Sequence, residues 1–155
     1  MISADVAQAI ARSAGTKLRP ALPEALDALA HLGVPVAELA FYGSYEPASL
    51  AEIGKVRLWP ISEVLDENRD YVPGYALQPL GLVVFATTLF GDTYCLDVNE
   101  PGCPVVLMSH ELDFEDISAE QVKSLRKRVA ANLDDFLERF ARGDLDTEPL
   151  YPSRL

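Results

Sequence analysis

The sequence contains few basic residues, histidines and cysteines. Its 155 residues include 13 Lys and Arg against 24 Asp and Glu, which gives a net charge of −11 and a pI near 4.5. A surface this acidic disfavours direct binding to nucleic acid or to an anionic membrane, so a basic protein is the partner that charge favours. The proportions of 49% hydrophobic and 24% charged residues are those of an ordinary folded domain.

No stretch of the sequence has the composition of a membrane span or a secretory signal. The most apolar run, residues 80–90, is far shorter than the roughly 20 residues of a membrane-spanning helix. Residues 1–15 lack a basic region, and polar side chains interrupt their apolar positions, so we expect a cytoplasmic protein that starts near Met1. Cys95 and Cys103 are the only cysteines, and in such a chain we expect buried thiols in place of a disulfide.

The motifs of common enzymes are missing. The sequence has no nucleophile elbow, no phosphate-binding loop and no dinucleotide fingerprint. His31 and His110 are the only histidines, and neither has the close spacing to a cysteine that a zinc site needs. His110 beside Glu111 is a candidate proton carrier, but an ordinary surface histidine is the favoured interpretation because no nucleophile pattern accompanies it. We expect no catalytic, cofactor-binding or metal-binding residues.

Hydrophobic periodicity changes from helical to strand-like along the chain. Ser3 is predicted to cap a first helix that Gly15 ends, and two further short helices follow before a loop over residues 42–47. Short apolar segments then predict strands at residues 55–59, 82–86, 93–98 and 105–109. The pattern indicates an α+β fold with a mostly antiparallel central sheet, a meander, flanked by N-terminal helices.

The C-terminal region is predicted to be helical. Ser118 and Gln121 match a capping box, and apolar residues then recur every three or four positions as far as Phe140. This spacing predicts one long C-terminal helix that ends at Gly143. We therefore expect a single domain over residues 1–143 and a loosely docked tail over residues 144–155.

Acidic residues are concentrated in the second half of the chain. Residues 81–120 contain eight Asp and Glu and no Lys or Arg. Like charges within a Debye length of about 8 Å repel one another, and a basic partner would relieve that repulsion; the alternative is that acidic loops only keep the protein soluble. Candidate partner-binding residues are Asp92, Asp97, Glu100, Glu111, Asp113, Phe114, Glu115 and Asp116. Candidate aromatic anchors are Phe114 again, Tyr42, Tyr45, Tyr71 and Tyr75.

The order of these segments resembles the SUKH superfamily. The resembling pieces are Leu22-Pro23 before a helix, residues 58–64, the hairpin over residues 85–97, residues 104–106 with His110-Glu111, and residues 132–140. Together they cover roughly residues 20–142. Members often have a serine where the last helix begins, and this chain has Asn132, so two elements between residues 118 and 142 are an alternative to one helix.

The resemblance implies binding without catalysis and without a cofactor. The superfamily includes many bacterial toxin-immunity proteins and a fungal regulator of cell-wall synthesis. Combined with the charge, it leads us to expect a cytoplasmic immunity protein that neutralises a cognate basic toxin, of which a nuclease would be one kind, by covering its active surface. A regulatory or scaffold protein of the same superfamily without a toxin partner is the alternative, and an enzyme using His110 and Glu111 is a third. The sequence does not indicate an oligomeric state.

Overall fold

The computed structural model describes residues 1–151 and is organised around an antiparallel sheet. Two short strands, β1 (Leu18–Arg19) and β2 (Glu46–Pro47), form a separate pair. The main sheet holds six strands in chain order: β3 (Ala51–Ile53), β4 (Val56–Leu58), β5 (Leu82–Thr88), β6 (Thr93–Asp97), β7 (Val105–Met108) and β8 (Lys127–Ala130). The predicted α+β class and the antiparallel meander are confirmed.

Seven α-helices connect and cover these strands within the described residues. They are α1 (Ala4–Ala14), α2 (Pro23–His31), α3 (Val36–Tyr45), α4 (Ile61–Asp70), α5 (Gly74–Leu77), α6 (Ala119–Leu125) and α7 (Leu133–Arg142). The Ser3 hydroxyl accepts a hydrogen bond from the Val6 amide, and Gly15 ends α1 at a φ of 64°, a left-handed conformation that glycine adopts without strain. Both predicted ends of α1 are confirmed. None of the helices in residues 1–151 has the length and hydropathy of a membrane span.

The sheet is buried on both faces, as the continuously apolar strands predict. The first core contains Phe85, Tyr94 and Leu107, together with side chains from α1, α3 and α7. The second core contains Val84, Cys95, Val106 and Met108 from the opposite face of the same strands. It is smaller, and side chains of α5, of α6 and of a 3-10 turn at Phe114–Asp116 close it. The elements that cover the second core are therefore the ones that position the acidic part of the chain.

The prediction of one long C-terminal helix is wrong. The chain leaves α6 after its confirmed Ser118–Gln121 capping box, pairs with β7 as the edge strand β8, and only then enters α7. Arg126, at the end of α6, contacts the carboxylates of Asp97 and Glu100 across the sheet. Asn132 starts α7, because its side-chain oxygen accepts a hydrogen bond from the Asp135 amide at 2.8 Å. The alternative suggested by Asn132 is thus the one the structure adopts.

Two other expectations also differ from the structure. Residues 42–45 belong to α3 and are not a loop, because Tyr42 turns into the first core beside Phe41. The chain after Gly143 is not loosely docked, since Leu145 and Leu150 are buried in the first core and the hydroxyl of Tyr94 donates to the Asp146 carbonyl at 2.8 Å. Residues 152–155 of the predicted tail lie outside the described residues.

Candidate docking surface

The eight predicted binding residues do not lie on one surface. Strand β6 separates Asp92, which precedes it, from Asp97 at its end. Five strand residues at about 3.3–3.4 Å each place the Cα atoms of these two residues roughly 17 Å apart. Thr93 pairs with Met108 in β7, so Asp92 and the chain that follows β7 share one end of the sheet, and Asp97 and Glu100 lie at the other.

At the far end, Asp97 and Glu100 are already bound within the chain. Asp97 is buried, and its carboxylate contacts the guanidinium of Arg126. Glu100 is exposed, and its Oε1 lies 3.2 Å from Nη2 of the same arginine. One local cation thus pairs with both groups and offsets one of their two negative charges, so the prediction that they contribute to a free acidic surface is corrected: neither carboxylate is without a local partner.

Asp92 is also removed from that surface, because its side chain is 0% exposed. Its Oδ1 accepts hydrogen bonds from the backbone amide of His110 at 2.9 Å and from the His110 ring Nδ1 at 2.7 Å. Its Oδ2 accepts a third bond from the backbone amide of Leu150 at 2.8 Å. Asp92 therefore joins three segments of the chain, and the partner of His110 is Asp92 and not the neighbouring Glu111.

The pairing of Asp92 with His110 resembles a base and its orienting carboxylate, but no nucleophile accompanies it among the described residues. The hydroxyl of Ser109 is buried and donates to the Leu150 carbonyl at 2.6 Å. Cys95 is buried, and burial raises the pKa of its thiol to about 12, which suppresses the reactive thiolate. Within residues 1–151, no group of three His, Cys, Asp or Glu is placed to hold a metal ion. The arrangement holds segments of the chain together.

Residues 111–116, the acidic loop, carry the predicted carboxylates that remain available. Glu111, Asp113, Glu115 and Asp116 are all exposed, and none forms an ion pair within residues 1–151. Phe114 was predicted as a surface anchor, but it is only 7% exposed and packs in the second core. Its burial fixes the middle of the loop to the sheet while the carboxylates on either side face solvent.

The segment from the end of α4 into the first turn of α5, residues 71–75, carries exposed aromatic side chains. We call it the tyrosine turn: Tyr71 is 62% exposed, Tyr75 is 61% exposed, and Val72 between them is 53% exposed. Tyr71 and Tyr75 thus have the exposure that the predicted anchors require. Tyr42 does not, because it is buried in the first core, where burial raises its pKa. Tyr45 is half-buried against the same core.

The tyrosine turn and the acidic loop line the same two open hollows. One, of about 580 Å³, is lined by Arg69, Tyr75 and Ile117, and the other, of about 470 Å³, is lined by His110 and Asp113. Both are also lined by Val72, Phe114 and Glu115. Val72, Phe114 and Glu115 therefore lie where the two hollows adjoin, with Tyr75 lining the larger hollow and Asp113 lining the smaller one.

A second apolar turn lies at the same end of the sheet. Leu89 and Phe90, between β5 and β6, are 44% and 43% exposed, and Gly91 after them lines the smaller hollow. The Lys55 ammonium sits 5.4 Å from the centre of the Phe90 ring. Sequence reasoning missed Val72, Leu89 and Phe90, although large apolar residues in turns where polar ones are usual were a readable signal. The docking surface consists of the acidic loop, the tyrosine turn and this turn.

The chain is thus an α+β protein with a meander sheet, helices over both faces, and an acidic and aromatic surface at one end of the sheet. The model of the SMI1/KNR4 family (SUKH-1) matches residues 8–139, a span that runs from α1 to α7 and contains the whole docking surface. The chain belongs to this family. No curated protein matches it in sequence.

Proposed function

We propose that this protein is a non-enzymatic acidic binding protein that acts as an immunity protein in the cytoplasm. In this function it neutralises a cognate basic toxin, a nuclease domain being one suitable kind, by covering the active surface of that toxin. Membership of the SMI1/KNR4 family (SUKH-1) supports the general class, because the superfamily includes immunity and regulatory proteins. The structure supports the sign of the partner's charge.

One observation carries the proposal: the four exposed carboxylates of the acidic loop form no ion pair within residues 1–151, and this loop lines a hollow together with Val72 of the tyrosine turn and Gly91 beside the second apolar turn. The carboxylates fall within six consecutive residues, so they repel one another, and a basic partner would remove that repulsion. A concentrated charge of this kind raises association rates by about 10- to 1,000-fold at low salt. The exposed tyrosines, Leu89 and Phe90 supply the apolar area on which affinity depends, since charged rims alone contribute little.

The experiment uses the product of the gene directly upstream as the partner and compares two charge-reversal pairs. Glu111→Lys with Asp113→Lys changes the docking surface, and Asp27→Lys with Glu138→Lys changes two exposed carboxylates on α2 and α7. Each substitution adds two charges, so both pairs move the net charge from −11 to −7. We expect the first pair to slow association at least about tenfold at low salt and to flatten its salt dependence, and the control pair to change little.

Equal effects of the two pairs would show that net charge acts and the docking surface does not. Growth provides the functional measurement: cells that express the upstream gene should stop growing unless the wild-type protein is present. The variant at Glu111 and Asp113 should protect less than the control pair. A harmless upstream product, or a gene that stands alone, would contradict the immunity function and favour the regulatory or scaffold alternative.

A further inference from the structure

We infer that residues 144–150 act as an intramolecular strap that holds the acidic loop in its binding conformation. The strap crosses the end of the sheet and is attached to the first residues of the loop by Asp92 and Ser109. The importance of this ordering for partner binding rests on the proposed function; the ordering itself does not.

Leu150 is attached to the sheet through both of its backbone polar groups. Its amide donates to Asp92 at 2.8 Å, and its carbonyl accepts from the hydroxyl of Ser109 at 2.6 Å. All of these groups are buried, so each bond lost would leave a buried donor or acceptor without a partner. Leu150 is thus held by two side chains that belong to the start of β6 and the end of β7.

The same two side chains hold the start of the acidic loop. The second carboxylate oxygen of Asp92 accepts from the His110 amide at 2.9 Å, and the Ser109 hydroxyl accepts from the Glu111 amide at 3.2 Å. Movement of Leu150 out of its place would therefore leave Asp92 and Ser109 free to reorient, and the amides of His110 and Glu111 would lose fixed acceptors. One carboxylate and one hydroxyl couple the strap to the loop.

The other end of the strap is fixed independently of the loop. The Asp146 carboxylate pairs with the Lys127 ammonium, and the Asp146 carbonyl accepts the Tyr94 hydroxyl at 2.8 Å. The side chains of Leu145 and Leu150 lie in the first core, whereas Phe114 of the acidic loop lies in the second core on the opposite face of the sheet. A change confined to the Leu150 side chain therefore reaches the loop through the backbone of the strap and of the following Tyr151, whose ring lies 6.5 Å from that of His110.

Hydrogen exchange of individual amides, measured by NMR on the full-length chain without a partner, tests the strap. We expect Leu150→Ala to speed exchange at His110 and Glu111 by about tenfold, while strand β6 amides change no more than global stability does. Leu133→Ala is the matched control, because Leu133 is buried in the same core at the N-terminus of α7. It should speed exchange globally without singling out the loop.

Asp92→Asn provides a second, independent variant. The asparagine side chain keeps one accepting oxygen, but its NH2 group cannot accept a hydrogen bond. It therefore cannot replace both carboxylate oxygens, and we expect faster exchange at His110 and Leu150 together. In Leu150→Ala, the amide of residue 150 could exchange faster while the amides of His110 and Glu111 exchange at the wild-type rate. That result would overturn the inference that the strap orders the acidic loop. Because no partner takes part in this experiment, that result would not contradict the proposed function. Conversely, a failure to bind any toxin would not contradict the inference about the strap.

Discussion

Asn68 is expected to be the polar side chain on which the stability of the sheet depends most. It is 3% exposed, on α4, three residues before the tyrosine turn. Its Nδ2 donates to the Val84 carbonyl at 2.7 Å, and its Oδ1 accepts from the Val84 amide at 3.0 Å. Strand β4 pairs with β5 only from Ala86 to Thr88. The asparagine amide therefore supplies to Val84 the two bonds that a longer β4 would have supplied.

Asn68→Leu preserves the volume of the side chain and removes both bonds. It leaves the amide and the carbonyl of Val84 buried without partners, at about 1–3 kcal/mol each, so we expect a loss of roughly 2–6 kcal/mol. The total free energy of unfolding of a domain is about 5–15 kcal/mol, so the variant should be severely destabilised. Urea denaturation followed by circular dichroism measures the change as a lower midpoint at an unchanged slope.

Asn99→Ala is the matched control, because Asn99 is exposed and its Nδ2 reaches the Leu80 carbonyl only at 3.4 Å. It should stay within about 0.5 kcal/mol of the wild-type protein. A loss below about 1 kcal/mol for Asn68→Leu would refute the reasoning, since water or the rearranged chain would then satisfy Val84 without the asparagine.

Two further predictions concern the buried cores. Burial raises the pKa of the Cys95 and Cys103 thiols to about 12, so both should resist Ellman's reagent at pH 8 and react once urea unfolds the chain. Because the folded pKa of each thiol lies above the ordinary value of 9.0, the contribution of the thiols to the free energy of unfolding should be level below pH 9 and fall towards pH 12. A free energy of unfolding that stays flat from pH 9 to pH 12 would contradict this. Phe136→Ala should cost about 3–5 kcal/mol, because its ring packs edge-on against Phe85 at 4.9 Å and Tyr94 at 5.0 Å. Glu138→Ala on the exposed side of α7 is the control for urea denaturation, and equal midpoints would contradict the aromatic cluster.

The elements predicted best are those whose signals are local. The ends of α1 follow from the hydroxyl of Ser3 and the left-handed conformation of Gly15, which depend on a few neighbouring residues. The central strands β5 to β7 are apolar at nearly every position because helices cover both faces, and that pattern is readable without knowledge of the neighbours. Short connections join β3 to β4, β5 to β6 and β6 to β7, which favours antiparallel neighbours, whereas helices lie between β4 and β5 and between β7 and β8.

The elements predicted worst are those that distant contacts decide. Residues 122–140 have the spacing of an amphipathic helix, yet residues 127–130 form a strand because β7 offers a free edge and Arg126 reaches Asp97 and Glu100. Neither contact can be predicted from a short stretch of sequence, because the partner residues lie far away along the chain. Pairing with another strand outweighs a helical preference of a few tenths of a kcal/mol per residue. Only Asn132, a good first residue for a new helix, signalled the interruption.

The acidic residues show why a count of charges along a sequence differs from the charge of a surface. Asp92 and Asp97 bracket β6, and the same strand that brings them close in sequence holds their Cα atoms roughly 17 Å apart. The two residues therefore lie at opposite ends of the sheet and do not form one contact surface. Burial then removes Asp92 from the surface, and Arg126 pairs with Asp97 and Glu100 and offsets one of their two charges. Four negative charges within the acidic loop remain available to a partner. Solvated carboxylates attract a basic partner at a distance, but affinity on contact depends on buried apolar area. The effect of the acidic loop on binding therefore depends on the exposed tyrosine turn beside it.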